Sequence, residues 1–252
     1  MDIAYIIKDL IHVLRRGGSL QDFVDRRSSV GDVCFLKYVS KVKTIDDFEL
    51  PREQCNSIIA QVYEEYNYED IRPTDIVLDV GANVGVFSLK VAPKVKHVYA
   101  VEPLFFDRLR ENIKRNGLKN VTPLKVALSL QEGTKFKGYI YLEFAGVRGQ
   151  AIGKSFPQIV SMCGGHIDFL KCDCEGGEWF INPDQIEAAG IRRIEMEVHA
   201  RKYGLNLEEY PKILKKINFD VKKENRGKTL LLHATKKEKE REIEREKRIL
   251  SN

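Results

Sequence analysis

The stretch Asp75-Ile76-Val77-Leu78-Asp79-Val80-Gly81-Ala82-Asn83-Val84-Gly85-Val86-Phe87-Ser88 decides the fold. An apolar run ends in an acid, a glycine-bearing turn follows, and a helix-like pattern begins. Further on, Val98-Tyr99-Ala100-Val101 is a second apolar run that ends in an acid, Glu102. Two strands ending in carboxylates and joined through a glycine turn and a helix make half of a nucleotide-binding α/β unit. Gly81 and Gly85 let the backbone approach a ligand with no Cβ in the way. The acid after the second strand can accept hydrogen bonds from a ribose diol.

The turn also says which nucleotide. Gly81-Ala82-Asn83-Val84-Gly85 lacks the G-x-G-x-x-G spacing that seats a pyrophosphate on a helix N-terminus. Asp79 stands just before it, where an anion disfavours phosphate and favours a cation. S-adenosylmethionine (SAM) carries a sulfonium and an ammonium and no phosphate. The expected cofactor is therefore SAM. Gly81, Asn83 and Gly85 are expected to shape the turn around its methionine part, with Asp79 facing the ammonium and Glu102 the ribose. Ala127, at the end of the third strand, is expected near the adenine. An α/β turn with no ligand is the plainer alternative.

Outward from this turn the alternation is regular. Strands are expected at residues 76–80, 98–102, 121–127, 167–172 and 191–198, with helices from 84 to before Pro93, at 105–116 and at 207–217. Asn116-Gly117 stops the second of these helices. Runs at 219–223 and 229–233, separated by Asn225-Arg226-Gly227, read as an edge hairpin. Residues 129–165 read as irregular, with a short strand near 139–144. The expected architecture is a Rossmann-like, mostly parallel sheet with right-handed crossovers, closed by an antiparallel hairpin strand.

Before it, residues 1–70 read as an extension: an amphipathic helix over 3–14, a short helix after Ser19, a strand at 33–42 and a helix at 54–66. Residues 71–235 form the main domain. Residues 236–252 form a tail that is nearly all charged from Lys236 to Arg248, with Glu and Lys/Arg at i,i+4 spacing, and is expected to be a solvated helix.

Composition narrows the class. The 252 residues can bury a sizeable core, and 43% are hydrophobic. A net charge of +5, spread over 42 basic and 37 acidic residues, argues only weakly for nucleic acid. No apolar run reaches membrane-spanning length, and Asp2, Lys8, Asp9 and His12 argue against a signal peptide, so a cytoplasmic location is expected. The five cysteines, Cys34, Cys55, Cys163, Cys172 and Cys174, are odd in number and scattered, which suggests core thiols rather than disulfides or zinc.

The second chemical cluster is Asp168-Phe169-Leu170-Lys171-Cys172-Asp173-Cys174-Glu175-Gly176-Gly177-Glu178. Ligands of open α/β sheets sit at the carboxyl ends of strands, so Asp173 and Glu175 are expected in the same crevice as Gly81. Three neighbouring acids raise one another's pKa and call for a partner. A general base, a divalent metal and substrate hydroxyls are all compatible, and no metal is assignable. Glu178 alone can be read as complementing a helix dipole.

With these residues quoted, the chain resembles the FkbM family of SAM-dependent methyltransferases over residues 66–234. The likeness rests on the Asp79–Gly85 turn, Val101-Glu102-Pro103, residues 112–121, the Asp173-x-Glu-Gly-x-Glu178 element and Glu195-Met-Glu-Val-His199. Cys172 and Cys174 stand where the family has aliphatic residues. The resemblance implies a seven-stranded class I methyltransferase fold and O-methylation of a small-molecule or sugar hydroxyl. Asp173 and Glu175 are then expected to position and deprotonate the acceptor, with Glu178 and His199 behind them. An RNA methyltransferase and a non-catalytic SAM-fold module are the alternatives. The acceptor and the oligomeric state are not fixed by sequence.

Overall fold

The computed structural model describes residues 29–30, 33–39, 45–51, 62, 65–130, 133, 135–142, 145–200 and 206–237. The helices expected over 3–14 and after Ser19 and the charged segment beyond Lys237 lie outside these residues. So does most of the helix expected over 54–66, of which Val62 and Glu65 are helical.

Three short antiparallel strands come first: β1 (Ser29–Val30), β2 (Val33–Val39) and β3 (Ile45–Pro51). The α/β alternation then begins with β4 (Ile76–Val80), α1 (Val86–Val91), β5 (His97–Val101), α2 (Phe106–Arg115) and β6 (Val121–Leu124). A second group follows: β7 (Val126–Leu128), β8 (Lys135–Leu142), β9 (Ala145–Lys154) and α3 (Phe156–Met162). The chain returns with β10 (Phe169–Cys172), α4 (Pro183–Ala188), β11 (Arg193–His199) and α5 (Glu209–Lys216). It closes with β12 (Phe219–Asn225) and β13 (Thr229–Lys236).

Seven strands form one sheet in the order β12-β13-β11-β10-β4-β5-β6. Neighbours are parallel except around β13, which is antiparallel to both β11 and β12. This is the expected mostly parallel, Rossmann-like sheet with one antiparallel strand from the closing hairpin. The strand order reverses between β4 and β10, and such a switch point opens a crevice at the strands' carboxyl ends.

Period-two alternation divides the core between the two faces. Val77 and Phe169 join Phe87, Leu89, Leu109 and, from β3, Phe48 and Leu50 on one side. Leu78, Val80 and Leu170 join Phe156, Ile159, Met196 and Leu214 on the other. Asn116 ties β3 to the end of α2, accepting from the Glu49 amide (2.8 Å) and donating to its carbonyl (2.8 Å).

Three expectations are corrected. The strand at 121–127 is two strands: β6 is the edge of the main sheet, and after Lys125 the chain leaves it to pair with β9 as β7. Pro123, which has no N–H to donate, is tolerated because β6 has a neighbour on one side only. Residues 129–165 are not irregular. They hold the β8–β9 hairpin and α3, in a three-stranded sheet of order β7-β9-β8. Gly138, Gly146, Gly149 and Gly153 lie inside the strands, where Gly138 faces Gly149, instead of breaking them. Finally, β13 runs to Lys236, whose amide donates to the Arg192 carbonyl, so the sheet extends past residue 235. Among the described residues no helix is long and apolar enough to cross a membrane.

Candidate active site

A cleft of about 350 Å³ opens where β4, β5, β10 and β11 end. Gly81, Asn83, Glu102, Ala127, Asp173, Glu175 and His199 all line it, so seven of the ten residues singled out from sequence meet there.

One wall is the turn after β4. Gly81 and Ala82 both donate backbone N–H to the Val101 carbonyl (3.0 Å each). The Asn83 amide donates to Glu102 Oε2 (2.8 Å), and the amides of Leu104 (2.6 Å) and Phe105 (3.0 Å) donate to Oε1. Burial raises the Glu102 pKa, and these three N–H groups and Lys171 oppose it. Gly81 has φ +79, and a Cβ there would lie 1.8 Å from the Asp173 carbonyl oxygen. The turn and the acidic loop therefore touch through backbone, which only glycine permits. Asn83 also has positive φ (53), and its Oδ1 is buried with no hydrogen-bond partner.

The other wall is the loop after β10. Asp173 Oδ2 accepts from the Tyr66 hydroxyl (3.0 Å), and Oδ1 lies 3.8 Å from His199 Nε2. Glu175, in a left-handed conformation (φ 59), sits at the exposed rim with Oε2 3.6 Å from the same nitrogen. His199 Nδ1 meets Glu178 Oε1 at 3.2 Å. Burial disfavours the imidazolium, but Glu178, Asp173 and Glu175 outweigh it and hold His199 up to about 9. This cation is the partner that the three acids call for. Partial desolvation raises the Glu175 pKa; His199 opposes the rise, and Asp173, Glu178 and Glu197 add to it. Burial first, then Asp173, pushes the Tyr66 phenol well above its ordinary value.

Three expected site residues stand behind the cleft wall. Asp79 is fully buried: its carboxylate pairs with Lys171 Nζ (3.1 Å) and accepts from Ser88 Oγ (2.7 Å). It does not face the cleft: as the penultimate residue of β4 it points into the layer beneath α1, where it meets Ser88. Gly85 has φ +97 and packs against Leu109, so it starts α1 rather than touching a ligand. Glu178 is fully buried, and Oε1 accepts the amides of Cys174 (2.9 Å) and Gly176 (3.3 Å) as well as His199. It organises the loop from within.

Sequence reading missed two cleft residues. Lys171 donates to the Gly81 carbonyl (2.8 Å) as well as pairing with Asp79, and lies 5.5 Å from the Tyr66 ring centre. Asp79 and the carboxylates nearby keep its pKa raised against burial. Its signal was present: a lysine in an apolar strand, in register with Asp79 of the neighbouring strand. Tyr66 lies outside every motif, and nothing local in the sequence marks it.

Among the described residues two groups have metal-compatible spacing, Asp173 with Glu178 and His199, and Cys172 with Cys174 and Glu178. In the first, His199 Nδ1 already meets Glu178 Oε1 at 3.2 Å, and Nε2 lies 3.8 Å from Asp173 Oδ1. In the second, Cys172 Sγ and Cys174 Sγ are 3.6 Å apart as free thiols, and burial first, for Cys172, raises the pKa.

No family model matches the sequence. The chain is similar to the 23S rRNA (uracil(1939)-C(5))-methyltransferase RlmD of Klebsiella pneumoniae subsp. pneumoniae, 47% identical over 55 residues, 21% of this chain and 13% of that protein. It is also similar to an uncharacterized RNA methyltransferase of Streptococcus agalactiae serotype V, 37% identical over 73 residues, 27% of this chain and 16% of the relative. These likenesses span under a fifth of the relatives' lengths. Among solved structures, a fibrillarin pre-rRNA processing protein of Methanococcus jannaschii overlays with a TM-score of 0.48 at 14% identity, covering 84% of this chain and 86% of that one.

Proposed function

We propose that this chain is a SAM-dependent methyltransferase whose acceptor is RNA. The observation that carries the cofactor is the Glu102 wall. A buried carboxylate, held by three backbone amides, lines a cleft at the switch point of the sheet beside a glycine that no other residue can replace. The chemistry of the cleft fits SAM. Glu102 retains one lone pair, on Oε2, for a ribose hydroxyl. Asn83 Oδ1 is a buried acceptor without a donor, suited to an ammonium, the role that Asp79 cannot take from beneath α1. Ala127 and Leu128 offer an apolar surface for a purine.

When bound, SAM supplies an electrophilic methyl group on a sulfonium. The chain's own residues then have to align the acceptor, which accounts for most of the acceleration in such a displacement. Asp173 is the best-placed acceptor of a proton, being fixed by Tyr66 and facing the cleft. His199 does not serve as a base at neutral pH because it is already charged. It places a positive charge within 4 Å of Asp173 and Glu175, and Glu178 fixes its ring from behind.

The RNA acceptor is supported by the two relatives named as RNA methyltransferases. A small hydroxylated acceptor is the second reading, favoured by the Asp173–Glu178 element through which the chain resembles the FkbM family. Labelled-methyl transfer from SAM to unmodified total RNA tests the first reading against a panel of sugars and polyols. Label in RNA supports it, and label only in small molecules replaces it with the second. Failure to bind SAM in calorimetry removes both.

A further inference from the structure

We infer that the exposed face of α2, with Lys125 at the end of β6, is the surface along which an RNA strand leaves the cleft. The inference rests on the RNA reading above and adds where the strand lies. The chain's positive charge is concentrated here. Residues 105–125 hold six lysines and arginines against Asp107 and Glu111, a net +4 of the chain's +5. Arg110, Lys114, Arg115, Lys119 and Lys125 are exposed, and Arg108 is half-buried. Of these six, only Arg110 has an acidic partner among the described residues, Asp107 at 3.3 Å. At the opposite edge of the sheet several cations are paired instead: Lys212 with Glu209, Lys223 with Glu208 and Arg226 with Glu65.

The geometry aims this charge at the cleft. Phe105 and Val126 line it, and α2 begins and β6 ends beside them. The Arg108 guanidinium lies 5.8 Å from the Phe105 ring centre. Lys125 Nζ and the Arg110 guanidinium stand 5.5 and 6.0 Å from the centre of the half-buried Phe106 ring. A ring face orients a cation without neutralising it, so the N–H groups stay available to phosphate oxygens. Helix stability does not account for the pattern. Lys114 and Arg115, in the last turn, complement the α2 dipole, whereas Arg108, in the first turn, opposes it. From Arg108 to Arg115 the helix advances about 10 Å, a path that leads away from the mouth. The other rim repels phosphate, because Asp173, Glu175 and Glu197 all face the cleft there. An RNA backbone therefore leaves on the α2 side. A small hydroxylated acceptor confined to the cleft has no use for the cations along that path.

The test uses the full chain and a fluorescent, unstructured mixed-sequence RNA 15-mer, read by anisotropy across a salt series. The triple variant Arg110→Gln, Lys114→Gln, Lys125→Gln should bind at least tenfold more weakly, with its log–log salt slope reduced by about 2, as expected for three lost phosphate contacts on a single strand. None of the three lines the cleft, so SAM affinity and melting temperature should stay at wild-type values. The triple Lys212→Gln, Lys215→Gln, Lys216→Gln on α5 removes the same charge at the opposite edge and should weaken binding by less than about threefold. An equal loss from both triples would overturn the inference, since net charge and not this surface would then govern binding. The charge-retaining triple Arg110→Lys, Lys114→Arg, Lys125→Arg should stay near wild type, and a loss there would overturn the inference by pointing to fold rather than charge. If wild type methylates RNA and the α2 Gln variant keeps its affinity and slope, the surface is overturned while the RNA reading stands. If wild type neither binds nor methylates RNA, that reading falls and takes the surface with it. Poly-glutamate displacing the RNA as well as unlabelled RNA does would overturn the inference in favour of an acidic protein partner.

Discussion

The two walls of the cleft hold their carboxylates by different means. On the glycine-turn side, Glu102 is fixed by three backbone amides, donors that carry no charge and do not titrate. On the acidic-loop side, Asp173, Glu175 and Glu178 are gathered around His199, a donor that titrates, and a tyrosine hydroxyl. Backbone fixation suits a surface whose task is to bind one cofactor at any pH. A side-chain cluster suits a place where a proton has to leave the acceptor. Besides the backbone contacts of Asp173 with Val80 and Gly81, one side chain ties the walls: Lys171 reaches from the strand of one to the Gly81 carbonyl and Asp79 of the other.

Cutting that tie should have the largest effect. Lys171→Ala leaves Asp79 fully buried with only Ser88 as partner. Removing one member of a buried ion pair costs about 3–5 kcal/mol. Urea unfolding should register a loss of that size and, because Lys171 borders both walls, weaker SAM binding as well. A loss below about 1 kcal/mol would mean that the walls stand independently.

Asp173→Asn should separate chemistry from binding. It keeps the size of the side chain and removes its charge. Turnover should fall by about 10²–10⁴, the range for a lost general base, with SAM affinity within a few fold. If affinity and turnover fall together, the acidic loop belongs to the cofactor wall and the contrast between the walls is wrong.

The converse variant is Glu102→Ala. It removes the acceptor left for a ribose hydroxyl, a charge-assisted bond being worth about 1.5–3 kcal/mol. Calorimetry should show SAM affinity down at least tenfold. The three amides it leaves behind will make the turn less ordered, so some loss of melting temperature is expected as well. Unchanged affinity takes Glu102 out of the cofactor site.

The contrast was partly legible in the sequence. Strands β4, β5 and β10 announced themselves as short, mainly apolar runs followed by polar residues, and β11 by alternation of Ile194, Met196 and Val198 with charged residues. The sequence misled where local signals are ambiguous. Gly138, Gly146, Gly149 and Gly153 read as loop residues, yet they sit within β8 and β9. Two short helices went unassigned although each carries a capping box, Ser155 with Gln158 and Asn182 with Gln185. In the site, residue type located the acids, but type does not tell which side of a sheet a strand residue faces. Asp79 and Asp173 both close apolar strands. Asp79 is the penultimate residue of its strand and points under α1, whereas Asp173 is one residue past its strand and faces the cleft. Glu178 looked like a member of the catalytic cluster because sequence proximity hides depth.

The smallest and sharpest test is pH. His199 is raised to about 9 in the folded protein, against about 6.5 in an unfolded chain. A group whose folded pKa is raised contributes stability that is complete below its unfolded value and lost as pH rises through its folded one. The acidic wall should therefore contribute fully below about pH 6.5 and decline progressively up to about pH 9. His199→Gln removes the titrating donor, so the difference in melting temperature between wild type and variant should narrow across that window. SAM affinity, which depends on backbone amides, should stay level through it in both proteins. A window shifted down to the ordinary histidine range would show that the three carboxylates do not act on His199 together. A SAM affinity that tracks the same window would show that the titrating wall reaches the cofactor, and the division between a wall that binds and a wall that reacts would have to be given up.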